Sequence, residues 1–305
     1  MPLKNLKCGG CGDVAWTVDQ IADQTDTAPF EHFENAHNDE GYQVFGGSLL
    51  EIAKTARVDR LNERRQGAHL SASMSGMCVR EKVLERTVEY DADPYNYVSA
   101  LHGTLIHRTL SVEPWWLAEL GLQPILIDGL KVDAVADRVR TDYTVVRDIK
   151  THHAPKGRFV NTTKEEKDMG IRWRYSEGEK IFPIEGGTQW QVNIQRHCIE
   201  KEYGVLPVGQ VQVIQLGCNK IKNSYRLLPV PSMDLDELAA AVGPDFKTFT
   251  EVMSEPDVTK RLDLAAKLPL QGLEMYKSGD GTCKCDRYCA LSQVCAGLQS
   301  QERRF

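Results

Sequence analysis

The sequence predicts an α/β fold in which a small mixed β-sheet is flanked by helices. Three observations carry that expectation. Residues 130–151 alternate apolar and polar side chains in two runs, 188–203 recurs at helical spacing and stops at Gly204, and two further strand-like runs follow before more helix. The order helices, hairpin, helix, strands, helices is that of a sheet with helices packed against its faces.

Taken in order, residues 1–45 are polar and without a clear period, EHFENAHNDEG included, and read as loops or an appended element. From Ser48 to Arg65, Leu49, Leu50, Ile52, Ala53, Ala56, Val58 and Leu61 recur at helical spacing beside Arg57, Arg60, Arg64 and Arg65, which predicts a basic amphipathic helix. A solvated face is the simpler account of those arginines. Ser-type capping in SASMSG precedes a helix starting near Cys78, and a second helix runs from Tyr97 to Ser111 through LHGTLIH. Pro124 to Val139 reads as extended chain, RTDY as a connection and Thr144 to Thr151 as the partner strand. A helix from Thr188 to Tyr203 and strands at Gly209–Leu216 and Ser224–Val230 complete the sheet. The polar stretch from His152 to Gly187 has no period and reads as a loop over a site.

With 305 residues the chain can bury a full core, and 37 Lys plus Arg against 43 Asp plus Glu leaves a net charge of −6. A polyanionic partner must then be held by a local basic groove or through metal ions, and a histone-like binder is excluded. No run approaches the roughly 18 apolar residues of a membrane span, and MPLKNLKCGGCGD lacks the apolar core of a signal peptide, so a soluble, intracellular (cytoplasmic) protein is expected. Nine cysteines, four of them (Cys283, Cys285, Cys289, Cys295) within thirteen positions, argue for a metal and against a disulfide framework. Cys8 and Cys11 in CGGCG read as half a zinc knuckle, as thiols of a flexible start, or as partners of Cys283 at a second metal. Cys198 and Cys218 read as buried apolar residues.

The hairpin is where chemistry concentrates. Leu130, Val132, Ala134 and Ala136 form one face of its first strand, while Lys131, Asp133, Val135 and Asp137 form the other. On the second strand Val146, Asp148 and Lys150 share a face. Closing the hairpin symmetrically about Thr141 and Asp142 opposes Val135 to Asp148, Asp137 to Val146 and Asp133 to Lys150. Asp137 and Asp148 are then diagonal neighbours about 7 to 8 Å apart at the backbone, close enough to share a divalent cation. An exposed polar face with a surface ion pair is the competing account. Gly103 and His107, four apart on the preceding helix, add a position for close packing and an imidazole on one face.

In this ordered set the chain resembles the PD-(D/E)XK nuclease superfamily, and within it the RecB-like branch with an iron-sulfur cluster, which includes CRISPR-associated adaptation exonucleases of the fourth Cas family and phage recombination exonucleases. GTLIH (Gly103–His107) resembles the helical G-x-x-x-H motif, VDAVADRV the strand carrying the first acid at Asp137, and RDIKT the D/E-x-K strand with Asp148 and Lys150. QWQVNIQRHCIEKEYG resembles the Q-x-x-x-Y helix with Gln191 as its glutamine, although Gln195 stands in place of the tyrosine. Cys78, with Arg80 after it, and the C-terminal cysteines resemble the split cluster ligands. The last cysteines are spaced differently from the usual pattern: either Cys285, with three residues between it and Cys289, or Cys283, with five between, joins Cys289 and Cys295, and Cys285 is preferred.

The resemblance implies a restriction-endonuclease-like core over residues 71–297, with helical termini stapled by the cluster, an appended region at 1–70 holding the basic helix, and a tail at 298–305. It implies a metal-dependent DNA exonuclease in which Asp137, Asp148, His107 and the carbonyl of Ile149 hold Mg²⁺ or Mn²⁺, Lys150 orients the attacking water and Gln191 positions the strand. It implies a 4Fe-4S cluster on Cys78, Cys285, Cys289 and Cys295, with structural Zn²⁺ as the alternative. DNA with an accessible single-stranded end is the expected partner, together with a helicase or recombination protein because no P-loop is present, in recombination, repair, replication or CRISPR adaptation. Lys156, Arg158, Lys164, Lys167, Arg172 and Arg174, with Trp173 and Tyr175, could track a DNA backbone, or line a solvated loop. Two other readings remain: a non-catalytic nucleic-acid-binding scaffold of the same fold, and a structure- or sequence-specific endonuclease.

Overall fold

The computed structural model of the chain describes residues 3–8, 11–12, 15–26, 28–35, 46–61, 67–92, 103, 106–107, 113–153, 158–161, 173–177, 180–182, 186–216, 225–269, 291 and 294–295. In chain order the elements are β1 Asn5–Lys7, β2 Ala15–Thr17, α1 Val18–Ala22, α2 Ala28–Asn35, α3 Gly46–Leu61, β3 Leu70–Ser71, α4 Val79–Thr87, β4 Asp91–Ala92, β5 Trp116–Ile127, β6 Leu130–Arg140, β7 Val145–His153, β8 Arg158–Asn161, β9 Trp173–Glu177, β10 Lys180–Phe182, α5 Gly186–Tyr203, β11 Val208–Leu216, β12 Tyr225–Pro229, α6 Leu235–Met253 and α7 Val258–Lys267. They fall into two compact units. The first comprises Met1–His69, Met77–Leu101 and Thr248–Phe305, the second Leu70–Gly76 and His102–Lys247.

In the first unit residues 5–35, read from sequence as loops or an appended element, include β1, β2, α1 and α2. β1 pairs antiparallel with β2, setting Leu6 opposite Trp16, and parallel with β4. Thr17 then starts α1 with a reciprocal cap: its hydroxyl accepts from Gln20 N at 3.1 Å while Gln20 Oε1 accepts from Thr17 N at 3.0 Å. Leu6, Cys8, Trp16, Val18 and Ile21 pack with Leu49, Ile52, Ala53 and Ala56, the helical stripe expected of α3. These strands are only three residues long, too short for a periodicity to show in sequence. Arg57 of the basic helix is ion-paired with Asp19 and Asp23, the pairing of an ordinary solvated face.

The second unit is a mixed α/β structure whose six-stranded sheet has helix packed on it. β12 pairs antiparallel with β11, β11 parallel with β7, β7 antiparallel with β6, and β6 parallel with the short β3. β5 lies antiparallel along the whole of β6. The extended chain expected from Pro124 is therefore two strands, joined at Asp128–Gly129. Both turn residues have positive φ (50° and 78°) and Ile127 faces Leu130, the two-residue hairpin that Asp-Gly favours. The faces of β6 are as the alternation predicts, with Val132, Ala134 and Ala136 buried.

The β6–β7 register differs by two residues from the symmetric closure. Arg138 faces Arg147 and Val139 faces Val146 because the connection is four residues, Thr141–Thr144. Tyr143 takes φ 57°, donates its N–H to Arg140 O at 2.8 Å and stacks on Tyr203 of α5 at 3.9 Å. A shift of two preserves parity, so the two acids keep a common face. Continuing this register puts Asp137 directly opposite Asp148, and Lys150 opposite Val135 where Asp133 had been expected.

Between β7 and α5 the stretch expected to be a loop forms a three-stranded antiparallel sheet in the order β10-β9-β8. α5 then completes the parallel β7–β11 crossover. Val192 to Ile199 of this helix are all buried, polar residues included. Asn193 donates to Gln189 O and Pro231 O, Arg196 donates to Pro207 O and Asn193 Oδ1, and His197 Nε2 meets Met233 O at 2.8 Å. These polar groups bond within the helix, to the turn before β11 at Pro207 and to the chain beyond β12 at Pro231 and Met233, and so fix the helix in place. Helix α6 opens with Asp234 and Glu237 capping each other's N–H groups at 2.8 Å.

Candidate functional site

β5 occupies one edge of β6, so β7 and β3 share the other, meeting it at Arg138–Val139 and at Val132–Asp133. Between those contacts β6 and β7 part. In the gap Ile149 donates its N–H to Asp137 Oδ2 at 2.7 Å, the carboxylate serving where a ladder carbonyl would otherwise stand. The Asp137 carboxylate thereby reaches the backbone of β7, the strand that carries Asp148 and Lys150.

Asp148 is fully buried. Gln191, in the early turns of α5, donates to its Oδ1 at 2.9 Å, while Gln191 Oε1 accepts from Lys150 Nζ at 3.2 Å. Lys150 Nζ also lies 2.9 Å from Asp148 Oδ2, but out of hydrogen-bond alignment, so among the described residues that buried oxygen has ion pairing and no hydrogen-bond donor. Burial and then the charge of Asp148 push the Asp137 carboxyl up to about 7. A nearby cation would relieve the cost that burial and the Asp148 charge impose on the ionised Asp137 carboxyl.

His107 approaches the same point from the preceding helical turn. Its Nε2 is 3.2 Å from Ile149 O and 3.8 Å from Asp137 Oδ2, and its Nδ1 is 3.4 Å from Glu119 Oε1. Neighbouring ligands of an octahedral ion stand about 3 Å apart when each is about 2.1 Å from the metal. The imidazole, the carbonyl and the Asp137 carboxylate are close enough to one another to serve as donors to a single metal ion. Gly103 explains the close approach of the helical turn: a Cβ there would stand 3.2 Å from Thr151 Oγ1 of β7.

Glu119 is a site residue that the sequence reading missed. Its nearest metal-ligating atoms are those of His107 and Asp137, all three within 4.8 Å of one another. It sits on β5 opposite Asp137, between the Ala118–Arg138 and Leu120–Ala136 pairs, with φ 50°. A non-glycine residue held there costs of order 1 kcal/mol or more. The sequence does offer a signal for it. Pairing backwards from the Asp128–Gly129 turn carries β5 past Asp137, and an irregularity between Leu122 and Ile125, at Pro124, brings Glu119 rather than Leu120 into register.

Other expectations fare differently. Asp133 is half-buried on the same face as Asp137, and the β6–β7 register sets Lys150, engaged by Asp148 and Gln191, opposite Val135 where Asp133 had been expected. Gln195, in the tyrosine position, is fully buried and donates to Val135 O at 3.0 Å, a structural contact to β6. Burial pushes the Cys198 thiol up to about 12, in keeping with an apolar role. Arg158, Trp173, Arg174 and Tyr175 lie on β8 and β9. Lys156, Lys164, Lys167, Arg172 and Cys218 lie outside the described residues.

Of the cysteines assigned to a cluster, Cys78 and Cys295 are described, both in the first unit, and Cys283, Cys285 and Cys289 lie outside the described residues. Cys78 is the N-cap of α4, without a side-chain capping bond. Arg80, two residues on and buried, donates to Cys295 Sγ at 3.6 Å and to the carbonyls of Ala266 and Leu268. The same turn of α4 thus carries one cysteine and grips the other. Cys8, Cys11 and His32 form a separate group whose ligand atoms lie within 4.8 Å of one another.

No family model matches the chain, and no curated protein matches it. Among solved structures, the crystal structure of SSO0001 is similar over 63% of this chain and 79% of its own, with 14% identity and a TM-score of 0.39. A likeness of that size carries no argument about the site. No helix among the described residues is long and apolar enough to cross a membrane.

Proposed function

We propose that the second unit is a divalent-metal-dependent deoxyribonuclease of the RecB-like type, acting on DNA ends as an exonuclease in recombination, repair, replication or CRISPR adaptation. The observation that carries this reading is the convergence of Asp137, Asp148, His107 and the Ile149 carbonyl beside Lys150, with Gln191 bridging the lysine and Asp148. Phosphodiester hydrolysis needs the anionic oxygens neutralised and a water activated in line with the leaving oxygen; Mg²⁺ or Mn²⁺ held by those four groups would supply both.

The chain's own residues do the rest. Asp148 and Gln191 hold Lys150 Nζ at the mouth of the site, where its charge stabilises the anionic oxygens of the phosphate as they gain charge and its N–H groups orient the nucleophile. Gln191 is therefore a positioning residue for Lys150, a more specific role than placing the strand. Ile149 N–H fixes one oxygen of Asp137, turning the carboxylate toward His107.

In the first unit, Cys78 and Cys295 with Cys285 and Cys289 are proposed to hold a 4Fe-4S cluster, with Zn²⁺ the alternative for the same thiolates. The Arg80 contact to Cys295 supports a shared site. DNA with an accessible end is the proposed partner, supplied by a helicase or recombination protein.

Anaerobically purified protein should degrade end-labelled linear DNA with Mn²⁺ or Mg²⁺ and not with EDTA, and should spare closed circles. Cutting of circles would make it an endonuclease. Absence of any cleavage with the metal bound would favour the scaffold reading.

A further inference from the structure

We propose that Cys8, Cys11 and His32 bind a structural Zn²⁺ ion that fastens the β1–β2 knuckle to helix α2. This site shares no residue with the nuclease centre or with the proposed C-terminal cluster, and it does not rest on either.

The knuckle is built for a metal in three respects. Cys8 closes β1 and is fully buried, and Cys11 follows at the C-x-x-C spacing. Gly12 donates its N–H to Cys8 O at 2.9 Å with φ 76°, so the chain reverses tightly and returns the second thiol towards the first. His32, on α2 and 21 residues further on, presents its Nε2 to Cys11 Sγ at 3.6 Å. A thiolate at about 2.3 Å and an imidazole nitrogen at about 2.05 Å from a tetrahedral zinc ion stand about 3.6 Å apart. That is the separation observed.

The ring is also held for this purpose. Trp16, whose side chain belongs to the core of the unit, lies against the His32 imidazole with centroids 5.4 Å apart at 50°. Two thiolates and an imidazole are soft and borderline donors, which suit zinc and disfavour Mg²⁺ or Ca²⁺. The three leave one tetrahedral position to a further donor. The sequence has His37 five residues on, outside the described residues, and the proposal does not depend on it.

The energetic reason for a metal is the size of the elements. β1 and β2 have three residues each and α1 five, so little hydrogen bonding within them resists fraying. A zinc ion joining Cys8 and Cys11 to His32 ties this hairpin to a helix across a loop that no described secondary-structure ladder closes, and its binding energy becomes folding energy for the N-terminal part of the unit.

The test uses the full chain purified anaerobically under reductant. In a Cys295→Ser background, which removes a ligand of the proposed C-terminal site, zinc measured by mass spectrometry should be about one per chain, and it should fall at least tenfold when Cys11→Ser or His32→Ala is added. His32→Cys should retain it, since a thiolate replaces the imidazole as ligand. Stripping with chelator should lower hydrogen-exchange protection of the Leu6 and Trp16 amides and leave the β5–β7 amides unchanged. Co²⁺ added to the stripped protein should give thiolate charge-transfer and tetrahedral d–d bands that Cys11→Ser loses. Zinc retained when Cys11→Ser and when His32→Ala is added to the Cys295→Ser background, no zinc and no cobalt bands in the wild type, or a Cys8–Cys11 disulfide in reductively purified protein would each overturn the proposal. Nuclease activity is not a readout here, so a failure of the zinc site and a failure of the nuclease reading remain separate results.

Discussion

Replacing Asp137 by asparagine should make the metal-free protein more stable at pH 8 while removing its response to Mn²⁺. The carboxyl lies at about 7 against 3.8 for the free side chain, raised first by burial and then by Asp148. A group whose native value is raised contributes stability fully present below about pH 4 and lost as pH rises through 7, because the unfolded chain releases the proton first. At pH 8 that raised value corresponds to at most about 4 kcal/mol withheld from the native state, at 1.36 kcal/mol per pH unit. Asparagine never ionises, and its Oδ1 can still accept from Ile149 N–H, so a gain of about 2 to 4 kcal/mol is expected in EDTA. At roughly 2–4 °C per kcal/mol for a domain of this size, the melting temperature should rise by about 5 to 10 °C. Melting in EDTA and in Mn²⁺ between pH 5 and 8 is the assay. The gain should shrink towards pH 5, where wild-type Asp137 is already protonated, and Mn²⁺ should stabilise the wild type at pH 8 but not the variant. A variant less stable than the wild type in EDTA at pH 8, or a difference independent of pH, would show that Asp137 is not a strained acid awaiting a cation.

Lys150→Ala should lower the cleavage rate by about 10² or more, because it removes the charge that faces the reacting phosphate, and should also lower the melting temperature, because it strips the buried Asp148 of its ion-pair partner; cleavage at the wild-type rate in the folded variant would refute the assignment. Asp133→Asn should retain most activity where Asp137→Asn retains none, measured as rate against Mn²⁺ concentration. Gly103→Ala should weaken Mn²⁺ binding by crowding Thr151 and displacing His107, and adding Thr151→Ala should restore it; an unaffected single variant would contradict the close packing. Cys295→Ser should lose visible absorbance and iron together with thermal stability of the first unit; wild-type protein containing zinc instead of iron would replace the cluster and keep the staple.

Parity made much of the site legible. A strand's two faces alternate without regard to where the hairpin closes, so Asp137, Asp148 and Lys150 were assigned to one face even though the closure expected at Thr141–Asp142 was two residues out. The residues that escaped depend on what parity does not encode. Glu119 needs the start of β5, the Asp128–Gly129 turn and an irregularity at Pro124 together before it falls opposite Asp137. The strands of residues 158–182 are three to five residues long, below the length at which alternation can be distinguished from chance. His32 is linked to Cys8 and Cys11 by tertiary contact across an intervening hairpin and helix, and sequence spacing alone made it one histidine in a polar stretch.

The two-residue shift in register also changes the chemistry, and in the direction of a tighter site. In the expected closure Asp137 and Asp148 were diagonal neighbours. Placed directly opposite on strands that part at that point, they share a buried gap. The fully buried Asp148 retains Lys150 and Gln191, and Asp137 is left with one backbone donor and a neighbouring histidine. The lysine thus compensates one carboxylate and leaves the other short of positive charge. On the proposed reading that asymmetry divides the work: Asp148 anchors the lysine as well as facing the metal, and Asp137, His107 and the Ile149 carbonyl are the groups that would complete the cation's ligands.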